Sequence, residues 1–160
     1  TSGSTGVPKS IVYPMRKSLE ILSQESDDIL KTDDVQWLRG GTTFLRPLFE
    51  VRRFPFNKTV LHLDPGKSME DQCRNLLWEL QESSHTEPMR THFTPSAFRV
   101  FFEYAKMMAG NTSPKFKRMY WLVLGGEAVT RDLTAIARRM FPNATIACNY
   151  AVGIQRLRLT

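Results

Sequence analysis

Hydrophobic and polar positions along the chain repeat with two different periods. Short runs rich in β-branched and aromatic residues, which favour strands, occur at Ile11-Val12-Tyr13, Thr59-Val60-Leu61-His62-Leu63, Thr91-His92-Phe93, Tyr120-Trp121-Leu122-Val123-Leu124 and Thr145-Ile146-Ala147-Cys148-Asn149-Tyr150. Between them lie stretches with helical spacing. A partly periodic set, Leu19, Ile21, Leu22, Ile29 and Leu30, predicts a helix after Pro14. Ser68 with Asp71 forms a capping-box pattern that opens a helix through about Glu82, with Leu76, Leu77 and Leu80 on its inner face. Thr94-Pro95 is an N-cap followed by proline at the first helical position, and Gly110-Asn111 stops that helix after about Ala109. Thr130 caps a further helix that aligns Leu133, Ile136, Ala137 and Met140 on one stripe. Gly40-Gly41, Pro47 and Pro55 break any pattern across residues 35–58, where loops and one short strand or helix are expected.

Strands alternating with helices of this length imply βαβ units. The predicted class is α/β, a mostly parallel sheet with helices on both faces. Ligands of such sheets sit beyond the carboxyl ends of the strands, a position that Gly125-Gly126 and the residues after Tyr150 would occupy.

With 160 residues, 41% of them hydrophobic and 24% charged, the chain has material for one core. Cys73 and Cys148 are far apart and form no paired motif, so neither a disulfide framework nor a zinc site is indicated, and a cytoplasmic location is expected. No apolar run approaches the roughly 20 residues that cross a bilayer, so no membrane association is expected. The net charge of +6 is scattered over Arg52-Arg53, Lys115 to Arg118, Arg138-Arg139 and Arg156 with Arg158. These groups read mostly as solvated faces, and no nucleic-acid partner is expected.

Thr1-Ser2-Gly3-Ser4-Thr5-Gly6-Val7-Pro8-Lys9 gathers hydroxyls, glycines and a cation into nine residues. Glycines let backbone N–H groups approach anionic oxygens, hydroxyls add donors and a lysine adds charge, a combination suited to phosphate. The plainer alternative is a flexible Ser/Gly linker. Pro8 before Lys9-Ser10 excludes the P-loop of nucleoside triphosphatases, which needs glycine there. Gly3-Ser4-Thr5-Gly6 also lacks the spacing of a nucleophile elbow.

The nine-residue loop resembles the phosphate-binding signature of adenylate-forming enzymes, the superfamily of acyl-CoA ligases, luciferases and peptide-synthetase adenylation domains. Thr94-Pro95-Ser96-Ala97-Phe98 resembles the helix entry of peptide-synthetase adenylation domains, and Leu124-Gly125-Gly126-Glu127-Ala128 resembles their adenine-side turn, in the family's order. The resemblance implies the fold of a large N-terminal subdomain. It also implies attack of a carboxylate on the α-phosphate of ATP, giving an acyl-adenylate and pyrophosphate, and then transfer of the acyl group to the thiol of a carrier-protein phosphopantetheine or CoA. Thr1, Ser2, Gly3, Ser4, Thr5, Gly6 and Lys9 would hold the β- and γ-phosphates, with Thr5 and Lys9 as the catalytic pair. Gly125, Gly126 and Glu127 would pass close to the adenine, and Tyr150 would stack on it. His92 and Val123, with Gly125, would face the acyl pocket. Plainer roles exist for each: a strand-to-helix turn for Gly125-Gly126, core packing for Tyr150, and a hydrogen-bonded core histidine for His92.

The family's usual Gly-Pro-Thr-Glu after the tyrosine is replaced by Ala151-Val152-Gly153-Ile154, which removes the glutamate that holds Mg2+, so no protein ligand for the metal is assigned. The asparagine expected two places before the tyrosine is Cys148. The Phe-Asp pair that binds an amino-acid substrate's ammonium is also absent, because Phe44 is followed by Leu45-Arg46. The expected substrate is therefore a carboxylic acid without an α-amine, or the site has degenerated into a non-catalytic interaction module. Neither end of the sequence reads like a domain end, so residues 1–160 are expected to be a partial adenylation domain, truncated at both ends and without the small C-terminal domain. Such a fragment is expected to be inactive alone. A fragment of a free-standing acyl-CoA ligase is the alternative enzyme.

Overall fold

Short-range side-chain chemistry starts each described helix. Helix α1, Met69–Gln81, opens on the expected capping box. The Ser68 hydroxyl accepts from the Asp71 N–H at 3.0 Å, and the Asp71 carboxylate accepts from the Ser68 N–H at 3.2 Å. Helix α2, Pro95–Met108, has Thr94 as N-cap with Oγ1 accepting from the Ala97 N–H, and it ends before Gly110, whose φ of +63° suits glycine. Helix α3, Arg131–Met140, is capped by Thr130, which accepts from the Leu133 N–H. The structure is a computed structural model that describes residues 35–38, 60–63, 68–81, 84, 86–110, 112–152 and 155–159, all in the unit Thr32–Thr160. The strand expected at Ile11-Val12-Tyr13, the helix expected after Pro14 and the Thr1–Lys9 loop lie outside the described residues.

Six strands form one sheet: β1 (Val35–Leu38), β2 (Val60–Leu63), β3 (Met89–Phe93), β4 (Met119–Gly125), β5 (Thr145–Val152) and β6 (Gln155–Leu159). Their order is β2-β1-β3-β4-β5-β6. The pairings from β2 to β5 are parallel, and β6 runs antiparallel to β5. Of the loops and one short strand or helix expected across residues 35–58, the described part is the strand β1, and residues 39–58 lie outside the described residues. β6 was not expected, although Arg156-Leu157-Arg158-Leu159 alternates polar and apolar residues with the period of a half-buried strand.

The crossovers through α1, α2 and α3 all step across the sheet in the same direction, so right-handed connections put the three helices on one face. Burial agrees: Cys73, Leu76 and Leu77 of α1, Phe98, Phe101 and Ala105 of α2, and Leu133, Ala137 and Met140 of α3 share a single core cluster. Met89 and Phe93 of β3, with Leu122 and Leu124 of β4, meet them. Phe93 packs edge-on against Phe98 at 5.4 Å between ring centroids, and Phe98 continues the aromatic chain to Phe141 at 6.1 Å. A helix on the opposite face is not among the described residues.

One basic group departs from the solvated-face expectation. Arg118 has a side chain only 12% exposed and pairs with the fully buried Glu79 at 2.6 Å. It also donates to the Glu79 and Glu87 carbonyls, both at 2.7 Å, so one guanidinium ties the end of α1 to the approach into β3.

Candidate functional site

The parallel pairing aligns the carboxyl ends of β3, β4 and β5. Phe93 lies beside Leu124, Leu124 beside Cys148, and Gly125 beside Asn149. Thr94-Pro95-Ser96 and Gly125-Gly126-Glu127 therefore emerge side by side at the carboxyl end of these strands, level with the backbone of Tyr150 within β5, where open α/β sheets bind ligands. Two signatures far apart in sequence and the expected stacking residue are brought together by register alone.

Alternation along the strands separates the acyl-pocket candidates from the helix-packed core. His92 is the register partner of Val123, which is in turn the partner of Ala147. Phe93 of β3 and Leu122 and Leu124 of β4 belong to the helix-side core, so strand alternation turns His92 and Val123 away from the helices. Val123 is 6% exposed yet stands outside the helix-side core cluster, and His92 is half-buried.

The glycine turn is held from below by α2. Gly126 has φ +89°, and a Cβ there would lie 3.5 Å from Thr94 Cγ2, an ordinary contact, so the backbone conformation rather than lack of space selects glycine. Glu127 follows directly. Its carboxylate accepts from the Ser96 hydroxyl at 2.6 Å and from the Ser96 backbone N–H at 3.0 Å. The Ser96 hydroxyl and N–H, with a smaller contribution from the Thr94 hydroxyl, hold the Glu127 carboxyl below the ordinary glutamate range, against a modest opposing effect of desolvation. α2 has no acidic residue in its own first turn, so Glu127 supplies from another loop the anion that a helix N-terminus favours. At the far end of the same loop, Arg99 of α2 donates to the Thr130 hydroxyl at 3.3 Å. Residues 126–130 are thereby strapped to α2 at both ends.

Thr94 and Ser96 were legible as a helix entry, but their union with Glu127 was not. The absence of an acidic residue in the first turn of α2 is the one sequence signal that could have suggested it. Thr1, Ser2, Gly3, Ser4, Thr5, Gly6 and Lys9 lie outside the described residues. Tyr150 is placed on β5 opposite Leu157 of β6. β5 continues through Ala151 and Val152, so the positions after the tyrosine are paired strand. Among the described residues no group of three or more His, Cys, Asp or Glu could hold a metal ion, and Glu127 is engaged by Ser96. No described helix is long and apolar enough to cross a membrane.

No family model matches the chain. A plipastatin synthase subunit of Bacillus subtilis (strain 168) is 26% identical over 151 residues, covering 94% of this chain and 4% of that protein. Among solved structures, VinN in complex with L-aspartate matches with a TM-score of 0.70 at 18% identity, covering 96% of this chain and 36% of VinN. The N-terminal subdomain of Klebsiella oxytoca NpsA, bound to 3-hydroxyanthranilyl-AMSN, matches with a TM-score of 0.69 at 17% identity over all of this chain and 39% of that one. The inhibitor-bound N-terminal domain of FACL13 from Mycobacterium tuberculosis gives 0.67 at 16% identity, covering 95% and 35%. The chain thus spans little more than a third of each solved relative. The chain therefore shares the α/β fold of these N-terminal subdomains, and its sequence is similar to that of a peptide-synthetase subunit.

Proposed function

We propose that the chain is part of an adenylation domain that activates a carboxylic acid with ATP for transfer to a carrier-protein phosphopantetheine or CoA thiol. The observation that carries this reading is the alignment of the β3, β4 and β5 ends, which sets the Gly125-Gly126 turn beside the α2 entry and the backbone of Tyr150. In this reading the turn lets the adenine approach closely, because glycine backbone leaves no side chain in its way. Thr1, Ser2, Ser4, Thr5 and Lys9 hold the departing pyrophosphate, with preorganised donors and one cation at a developing anion. His92 and Val123, on the face away from the helices, line the acyl side. The described residues do not fit a protein-held Mg2+, so no step is routed through one. The reaction is that of a whole adenylation enzyme, and this chain matches the solved relatives over little more than a third of their length.

A second reading, a non-catalytic module with the same fold, is favoured by Ala151-Val152-Gly153-Ile154 standing where the family carries a glutamate, and by β5 continuing as strand through the first two of those positions. Calorimetric titration with ATP separates the two. Saturable binding supports the adenylation reading. It is expected to weaken in Gly126→Ala, since a side chain at φ +89° strains the turn by about 1–2 kcal/mol. A cooperatively folded chain that takes up no ATP would leave only the module.

A further inference from the structure

Glu127 follows the glycine turn directly, where the resemblance would set it against the nucleotide. Its carboxylate instead lies on the first turn of α2, 2.6 Å from the Ser96 hydroxyl and 3.0 Å from the Ser96 N–H. Ser96 is exposed, yet its hydroxyl is also 3.2 Å from the Thr94 cap hydroxyl, so cap, second helical residue and carboxylate form one cluster. The N-terminus of α2 would otherwise be a ready anion seat at the carboxyl end of the sheet. In this chain Glu127 fills that seat.

We infer that Glu127 is a positioning residue for the nucleotide turn: clamped to Ser96, it fixes Gly126 in its left-handed conformation and so holds the adenine side of the cleft in shape before a ligand arrives. The inference rests on the adenylation reading. Three features support it. Gly126, adjacent to Glu127, occupies a backbone region in which a glycine is free to choose among several conformations, so an external restraint is needed to keep one of them. The restraint consists of two hydrogen bonds to a carboxylate, which are stronger than neutral ones. The Arg99 bond to Thr130 anchors the other end of the loop to the same helix, so both ends of the strap move with α2.

The test is a double-mutant cycle on ATP affinity, with thermal unfolding measured in parallel. Glu127→Ala is expected to weaken ATP binding about tenfold, within the usual range of coupling between sites. Ser96→Ala should weaken it less, because the Ser96 N–H still donates, and Ser96→Thr should regain most of the loss by restoring a hydroxyl. The double variant Ser96→Ala/Glu127→Ala should bind no worse than Glu127→Ala alone. A purely structural role would lower the unfolding temperature of these variants and leave the affinity of the folded protein unchanged; that result, or strictly additive losses, overturns the inference. If the unaltered chain folds but binds no ATP, the adenylation reading itself fails and the inference goes with it. If the unaltered chain binds and Glu127→Ala binds equally well, only the inference fails.

Discussion

Glu127 and Asp71 have the same chemistry at two helix starts. Each carboxyl is held below its ordinary value, by the Ser96 hydroxyl and N–H in one case and by the Ser68 hydroxyl and N–H in the other, with Arg74 beside Asp71 adding a smaller effect. A depressed folded-state pKa means that each group stabilises the fold fully above its unfolded value, about 4.5 for glutamate and 3.8 for aspartate. That contribution disappears as pH falls through the lower folded values. An acid titration followed by amide NMR should therefore show the Ser96 N–H shifting with an apparent midpoint below 4.5, and Glu127→Gln should abolish that transition. A Ser96 transition at or above the ordinary glutamate value would contradict the clamp. The two cases differ in how much of them the sequence revealed. Ser68 and Asp71 are three residues apart, so their bond follows from a local pattern. Ser96 and Glu127 are 31 apart and meet only because β3 and β4 are parallel neighbours, which no local pattern encodes.

At the level of elements, caps and strand cores were readable because each depends on residues within one turn or on a period of two. Thr94, Thr130 and the β4 run needed no tertiary context. β6 was missed because its alternation is carried by arginines, which read as solvated charge, although charged residues are common on strands that end a sheet. The Glu79 and Arg118 pair was hidden for a related reason: composition treats both as surface residues, and their contact spans 39 positions. Because Glu79 is fully buried, removing Arg118 takes a paired guanidinium from a carboxylate inside the fold. Arg118→Met is expected to destabilise the chain by about 3–5 kcal/mol, read by urea unfolding, and Arg118→Met/Glu79→Met should recover much of that loss. A single variant within about 0.5 kcal/mol of the parent, the range of ordinary surface substitutions, would show that the pair is dispensable.

Across the whole molecule, one arrangement links sequence to proposed activity. Parallel strands deliver the α2 entry and the glycine turn to the same carboxyl end of the sheet, the described helices cover one face, and His92 and Val123 lie on the other. The βαβ alternation made that architecture legible, while the substrate was not, because Leu45-Arg46 follows Phe44 where the resemblance calls for a Phe-Asp pair. The positions after Tyr150, paired with β6, give no carboxylate, so the proposed chemistry depends on how the nucleotide itself is held. Arg131, Arg138 and Arg139 of α3 line a shallow depression that offers an anion an alternative seat. The most direct test is therefore a map of amide chemical-shift changes on adding ATP to the isotope-labelled chain. Changes are expected at residues 1–9, 94–97, 125–128 and Tyr150; changes confined to the α3 arginines, or none at the strand ends in a folded sample, would contradict the adenylation reading.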